Sequence, residues 1–443
     1  MSDDSDFDPH THIWSSFILS TLVTRQPPQP LGTVLPHEIE AKAKEKLKNY
    51  PESFAYGRGN AGSGTTYDAN LLAFKRYSLV PRALIPHSPD LDSMQRNLTT
   101  RLLGRTYATP LVLGPIGTQS LFAEDAELSP AMAGKATGVP FVLSTVGTRS
   151  MEDVAEANGD GERWFQLYWP RTEEITLSLL QRAKNLKYTA LVVTVDNFSV
   201  GWRTHDIVGA FSPHLLGVGC EVGRSDPVFM NTLGRPVDAH NQPPFPFDHF
   251  GLSKKLAEGD ERAQQEAAIG MAWGLEVCSG RYRSWEELKW LRDHWEGPPY
   301  TQGYLARGER ALDNGIDGIV VSNHGGRQID GEITTMDALA DIMGSSLVRT
   351  AQAKGKFTVF LDSGVRTGTD VLKAIVLGAD AVFLGRAYLW ASCVGGKDGV
   401  KQLIHQTMAE IDVTLALLGY RSLDEVRGRK SVLKAPSGLT AKM

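Results

Sequence analysis

Seven consecutive residues, Ser322-Asn323-His324-Gly325-Gly326-Arg327-Gln328, place a base, a cation and two adjacent glycines in one turn, directly behind the apolar run Ile316-Asp317-Gly318-Ile319-Val320-Val321. A histidine can take a hydroxyl proton near neutral pH, and an arginine can grip a carboxylate through two parallel hydrogen bonds. Adjacent glycines let a flat ligand approach the backbone. Together these residue types suit the oxidation of a carboxylate-bearing molecule.

A second group points to a phosphate. Phe360 to Val371 reads as a strand, a glycine turn and a helix start, and it contains Asp362, Gly364 and Arg366. The next strand ends in Gly385-Arg386. Backbone N–H groups at a helix N-terminus with an added cation form a phosphate site. Two glycine-flanked arginines on successive loops favour that reading over two ordinary surface ion pairs. Thr194-Val195-Asp196 closes another apolar run, with Gly201-Trp202-Arg203 shortly after it. Arg203 and Arg327 can clamp one carboxylate from two sides, and Asp196 can stabilise a protonated His324. In Gln166-Leu167-Tyr168 the alternation of a strand puts Gln166 and Tyr168 on one face. His10-Thr11-His12 has a metal-like spacing without companion ligands, so no metal site is expected.

These residues need a scaffold that gathers strand ends. Eight short apolar runs alternate with amphipathic stretches from about residue 107: Leu111 to Ile116, Pro140 to Val146, Trp164 to Trp169, Ala190 to Asp196, Pro299 to Leu305, Ile316 to Ser322, Phe357 to Ser363 and Ala379 to Gly385. The pattern predicts an α/β fold, a (β/α)8 TIM barrel, whose chemistry gathers at the C-terminal ends of the strands. The barrel is expected over residues 107–427, preceded by an arm and helical segment over 1–106 and followed by a tail over 428–443. The arm is Pro-rich and reads as irregular and floppy up to a helix over His37 to Asn49. Residues 205–283 form a long insertion after the fourth strand, expected to act as a lid.

Composition narrows the setting. The chain has 443 residues, 42% hydrophobic and 22% charged, with a formal net charge of −5, which describes an ordinary globular protein without a nucleic-acid or acidic-membrane footprint. Three scattered cysteines, Cys220, Cys278 and Cys393, lack the spacing of a disulfide framework or a zinc site and fit a reducing, cytoplasmic compartment. The apolar stretch Ile13 to Val23 is too short for a membrane span and follows an acidic start. The terminal Ala441-Lys442-Met443 is similar to a peroxisomal address, the alternative location.

With these motifs assembled, Ser322 to Gln328, Leu361 to Val371, Gly385-Arg386, Phe165 to Tyr168 and Thr194 to Asp196 resemble the FMN-dependent α-hydroxy acid oxidase and dehydrogenase family over most of residues 37–427. Gly114-Pro115-Ile116-Gly117, Gly201-Trp202-Arg203, Ser225 to Phe229 and the Pro-rich arm look most like its lactate 2-monooxygenase branch. The resemblance implies FMN, a small 2-hydroxy acid substrate such as lactate, O2 as reoxidant and a homotetramer or larger. It implies His324 as the base supported by Asp196, with Tyr168 facing the hydroxyl, and Tyr56, Arg203 and Arg327 holding the carboxylate. For the cofactor it implies Pro115, Ile116, Gly117, Ser144, Gln166, Thr194 and Ser322 around the flavin ring and ribityl chain. Asp362, Gly364, Arg366, Gly385 and Arg386 are implied at ribityl and phosphate.

Two departures qualify it. The fifth strand of the family carries a lysine beside the flavin, and here Pro299-Tyr300-Thr301-Gln302-Gly303-Tyr304 puts Gln302 in its place. A unit charge about 4 Å away is worth up to ~4 kcal/mol at an effective dielectric near 20, so an alternative reading is a flavin-binding protein with weakened or lost catalysis. A barrel acting on a nucleotide substrate is a further alternative, disfavoured by the Asn323 to Arg327 turn. The second departure is Arg58, a bulky cation in a stretch of small residues.

Overall fold

A computed structural model describes residues 8–85, 96–102, 104–302 and 308–434. Eight parallel strands form one closed barrel: β1 (Leu111–Leu113), β2 (Phe141–Ser144), β3 (Arg163–Tyr168), β4 (Leu191–Thr194), β5 (Pro299–Gln302), β6 (Gly318–Val321), β7 (Thr358–Leu361) and β8 (Ala381–Leu384). Each falls within, or one residue outside, a run expected from the sequence. The expected continuation of the fifth run, Gly303 to Leu305, lies outside the described residues, as does Ala441 to Met443.

Strand parity explains both the packing and the site. Val112, Val142, Trp164, Val192, Tyr300, Val320, Phe360, Ala381 and Phe383 form one cluster inside the barrel. Their neighbours Leu113, Leu143, Phe165, Leu191, Ile319, Val359, Leu361 and Val382 pack outward in the larger core with the helices. Both faces are therefore apolar, as parallel strands covered by helices require. Trp164, Tyr300, Phe360 and Phe383 interlock as the interior floor, with Trp164 and Tyr300 ring centroids 5.6 Å apart and Tyr300 and Phe360 5.0 Å apart. Two residues further along most strands, the same inward face becomes polar: Ser144, Gln166, Thr194, Gln302, Ser322 and Asp362.

The hairpin Thr100–Leu102 with Arg105–Tyr107 lies at that floor, where Tyr107 meets Trp164 edge-on at 6.2 Å. The expected floppy arm is instead a packed element, for a reason visible in its apolar residues. Trp14 and Leu31 are buried, Ser15 N–H donates to Asp412 and Leu31 N–H to Gln402, and both acceptors sit on the long helix Arg386–Leu417. Among the described residues, four helices occur before residue 77: Ser16–Thr24, Pro36–Lys46, Pro51–Arg58 and Thr65–Arg76. The expected tail is likewise anchored through residue 434, since Leu433–Lys434 pairs with Ser78–Leu79 and Val432 is buried. The insertion after β4 folds into short helices and one long helix, Glu261–Val277, which packs against the turn His214–Leu216. Among the described residues no helix is long and apolar enough to cross a membrane.

Candidate active site

The C-terminal ends of the strands open into a cavity of about 300 Å³. The turn after β6 shapes its centre. His324 adopts φ +56°, followed by Gly325 at +66° and Gly326 at +75°. A left-handed conformation costs a non-glycine residue roughly 1–2 kcal/mol, and here it swings the imidazole over the strand ends. Its Nδ1 lies 3.1 Å from Asp196 Oδ1 and its Nε2 3.4 Å from the Tyr168 hydroxyl. The carboxylate fixes the proton on Nδ1 and leaves the Nε2 lone pair facing the cavity. Gly326 is required by contact as well as by φ, because a Cβ there would sit 2.7 Å from Tyr67 N. The turn is clamped by a reciprocal amide pair, with Asn70 Nδ2 donating to Asn323 Oδ1 at 2.8 Å and Asn323 Nδ2 to Asn70 Oδ1 at 2.9 Å.

Four arginines, Arg203, Arg327, Arg366 and Arg386, line the cavity, against the carboxyls of Asp206 and Asp362. Burial raises the pKa of both of these acids, so they neutralise less charge than their number suggests. The cavity favours anions. Arg327 donates to the carbonyls of Tyr56 at 2.8 Å and Gly59 at 2.7 Å and lies 5.2 Å over the Tyr56 ring. Burial, with Arg203 nearby, lowers its pKa to about 10. Arg203 donates to Gln328 at 3.0 Å, and its buried Nε has no partner, an orphaned donor that an anion would satisfy. Arg386 donates to the carbonyls of Gly57, Gly59 and Gly325. Burial, then Arg327 and Arg366, push its pKa well below the usual guanidinium value.

Beneath this wall the inward polar residues form a chain whose donors point one way. Ser144 donates to Gln166 at 3.0 Å, Gln166 to Thr194 at 2.9 Å, Thr194 to Gln302 at 2.9 Å and Gln302 Nε2 to Asp362 Oδ2 at 3.0 Å. Ser363 adds a bond to Asp362 Oδ1 at 2.6 Å. Residue 302 thus joins Thr194 to the buried carboxyl of Asp362, and it brings no positive charge to that end of the cavity.

Of the residues singled out in the sequence, Tyr56, Pro115, Ile116, Gly117, Tyr168, Arg203, Gln302, His324, Arg327, Asp362, Gly364, Arg366, Gly385 and Arg386 meet at the one cavity. Asp196 stands behind His324. Ser144, Gln166, Thr194 and Ser322 lie on the inner face at the strand ends beneath the cavity, and Ser144, Gln166 and Thr194 are joined to one another by the hydrogen bonds above. Sequence reasoning missed Asn70, Tyr67 and Asp206. Arg58 stood out as a departure, and its guanidinium lies 4.1 Å over the Tyr67 ring, which Arg386 and Arg366 also face at 5.1 and 5.9 Å. Nothing local in Asn70 marks it, since its partner Asn323 lies far along the chain, and Tyr67 meets Arg366 and Arg386 from equally far away.

A (β/α)8 barrel whose strand ends bring a carboxylate-backed histidine and four arginines to one cavity suits a cofactor-dependent enzyme acting on an anion. Residues 43–433 match the family model of the FMN-dependent dehydrogenases. An FMN-dependent alpha-hydroxy acid dehydrogenase of Penicillium citrinum is 39% identical over 396 residues, 89% of either chain. An L-lactate oxidase of Lysinibacillus sphaericus is 35% identical over 407 residues, 91% of this chain and 93% of its own. The crystal structure of mandelate oxidase superposes with a TM-score of 0.68 at 31% identity, covering 90% of this chain and 98% of that one. The chain belongs to the FMN-dependent dehydrogenase family: it is an FMN-dependent oxidoreductase of α-hydroxy acids.

The residues present fit that cofactor. A Cβ built on Gly385 meets nothing within 4 Å, so the eighth strand ends beside open volume. The guanidinium groups of Arg366 and Arg386 have no carboxylate partner among the described residues, which leaves both charges available to a phosphate.

Proposed function

We propose that the protein oxidises a 2-hydroxy acid to the 2-oxo acid with O2 as the terminal oxidant. One observation carries the reading: His324, backed by Asp196 at 3.1 Å, shares a cavity with Arg203 and Arg327. The two arginines, with Tyr56, hold the substrate carboxylate, and Tyr168 faces the hydroxyl. His324 Nε2 takes the hydroxyl proton, and the imidazolium formed is stabilised by Asp196. Bound FMN supplies the two-electron acceptor toward which the Cα hydrogen leaves.

Asp362, Gly364, Arg366, Gly385 and Arg386 would hold its ribityl chain and phosphate, while Pro115, Ile116 and Gly117 line its ring. Ser144, Gln166, Thr194 and Ser322 would meet the flavin ring and ribityl chain from the strand ends. Gln302 keeps the hydrogen-bond chain intact without supplying a cation.

Asp206, Phe211, Gly274 and Val277 of the insertion line the same cavity, which favours retention of products. Retained 2-oxo acid and H2O2 would give the acid one carbon shorter, CO2 and water, as in the lactate 2-monooxygenase reading. The test is O2 uptake by the FMN-loaded protein with L-lactate, with isotope-labelled product analysis. Pyruvate and H2O2 mark the oxidase, and acetate and CO2 the decarboxylating variant. No uptake with any 2-hydroxy acid contradicts the proposal. A homo-oligomer, tetramer or larger, belongs to the same reading, and sedimentation velocity measures it.

A further inference from the structure

A residue with positive φ is normally glycine, because a Cβ crowds the backbone there. Ser363, on the turn after β7 and on the cavity wall, breaks that preference at φ +69°, as His324 does in the turn after β6. Such a backbone persists only where its surroundings impose it, and here they do. Thr335 Oγ1 donates to the carbonyls of Asp362 at 2.8 Å and of Ser363 at 3.2 Å. The next residue, Gly364, has φ +89° and approaches Asn70 so closely that a Cβ there would sit 3.0 Å from it. Glycine at 363 would adopt the same backbone without strain, so the backbone does not explain the serine. What serine adds is a hydroxyl that makes two bonds. Its Oγ donates to Asp362 Oδ1 at 2.6 Å and accepts from Gly325 N–H at 2.9 Å. On the other flank of the base, Ser322 Oγ accepts from His324 N–H at 3.0 Å. Two serine hydroxyls thus hold the peptide planes before and after His324, and those planes set its φ and ψ.

We propose that Ser363 is a positioning residue for the catalytic base, its hydroxyl tying the peptide after His324 to Asp362 and so holding the imidazole between Asp196 and Tyr168. The proposal rests on the 2-hydroxy acid reading above and adds a residue to its machinery. A base takes a proton only across hydrogen-bond distance, so His324 Nε2 needs a fixed direction. A change in φ or ψ of His324 turns its Cα–Cβ bond and moves the ring away from both partners. Arg386 holds the Gly325 carbonyl at 2.9 Å, but that group belongs to the following peptide and leaves ψ of His324 free. Asp362 is the link to the cofactor end. With Oδ2 bonded to Gln302 at 3.0 Å, its carboxyl stays tied to β5 when the serine hydroxyl is removed, while the turn that carries the base is released. The left-handed serine is the strained joint that keeps base and cofactor wall in register.

The test compares Ser363→Ala, which keeps the strained backbone and loses the hydroxyl, with Ser363→Gly, which loses both. Flavin reduction in the FMN-loaded protein is followed by anaerobic mixing with L-lactate, or with whichever 2-hydroxy acid reduces the parent. Both variants are expected to be reduced about tenfold or more slowly, because a buried N–H left unpaired beside the base lets the turn move. Substrate and FMN affinities should stay near parental, and Ser363→Gly should melt above Ser363→Ala by about 1–3 °C once the left-handed strain is relieved. The more stable variant is then as slow as the less stable one, a pattern that a purely structural role does not produce. A reduction rate in Ser363→Gly within about twofold of the parent, or loss of FMN affinity with an unchanged rate in the loaded protein, overturns the proposal. If no 2-hydroxy acid reduces the parent, the 2-hydroxy acid reading fails, and the proposal is judged on crystal structures of the parent and Ser363→Ala. A His324 ring displaced from Asp196 in the variant supports it, and an unmoved ring overturns it.

Discussion

Replacing Asp196 by asparagine removes one charge from the centre of the account while preserving shape. Asp196 Oδ1 lies 3.1 Å from His324 Nδ1, and both side chains are largely buried, 14% and 18% exposed. Two unit charges at about 3 Å interact by about 5 kcal/mol at an effective dielectric near 20. That attraction exists only once His324 has taken the substrate proton, so it acts on the transition state and not on the ground state. An asparagine oxygen still accepts from Nδ1 and recovers part of it. A net loss of about 2–4 kcal/mol lowers the rate by about 30- to 1,000-fold. Rapid mixing with substrate under anaerobic conditions measures flavin reduction directly. Asp196→Asn should bind FMN with parental affinity and show the loss in the reduction rate. A rate within about threefold of the parent would refute the idea that this carboxylate stabilises the protonated base.

Other perturbations separate the parts of the site. Arg386→Gln removes a cation from the end where the phosphate is placed, and loss of charge-assisted bonds worth about 1.5–3 kcal/mol should weaken FMN binding about 10- to 100-fold by fluorescence titration. The pKa of Arg327 is lowered to about 10 by burial, so its charge is present below that pH and lost above it; KM for the substrate should be flat to about pH 9 and rise beyond about pH 10. Glu221, buried in the insertion, has its pKa raised to about 8, with burial the largest cause. Its protonated form stabilises the folded state fully below the ordinary carboxyl range, and that contribution is lost as pH rises through 8, so Tm should fall between pH 6 and 9 in the parent and less in Glu221→Gln. Gly326→Ala should lower Tm markedly, since the left-handed backbone costs about 1–2 kcal/mol and the new Cβ meets Tyr67.

The barrel was legible because both signals that define it are local. Each strand is a short apolar run, and the polar residues two positions later are fixed to the inner face by strand parity. The catalytic turn was legible for the same reason, with base, cation and glycines in seven residues. What the sequence hid is contact across distance. Asn70 looks like any polar residue on an amphipathic helix until its amide meets that of Asn323. Gln166, Ser144 and Thr194 sit at the right height and on the right face. They bond one another, a pairing set by register between strands that no single run of sequence displays. The arm misled through composition, since proline-rich sequence suggests irregularity, whereas Trp14 and Leu31 are buried against a helix near the other end of the chain.

The central claim is that His324, Arg203 and Arg327 oxidise a 2-hydroxy acid even though residue 302 carries no charge. Anaerobic mixing of the FMN-loaded protein with 2-hydroxy acids, beside Gln302→Lys and His324→Ala, tests it through loss of the flavin's visible absorbance. The account predicts bleaching of the parent by at least one 2-hydroxy acid, faster bleaching in Gln302→Lys and none in His324→Ala. No bleaching of the parent by any acid, with bleaching restored in Gln302→Lys, would contradict it and mark the chain as a flavin-binding protein whose catalysis was lost at Gln302.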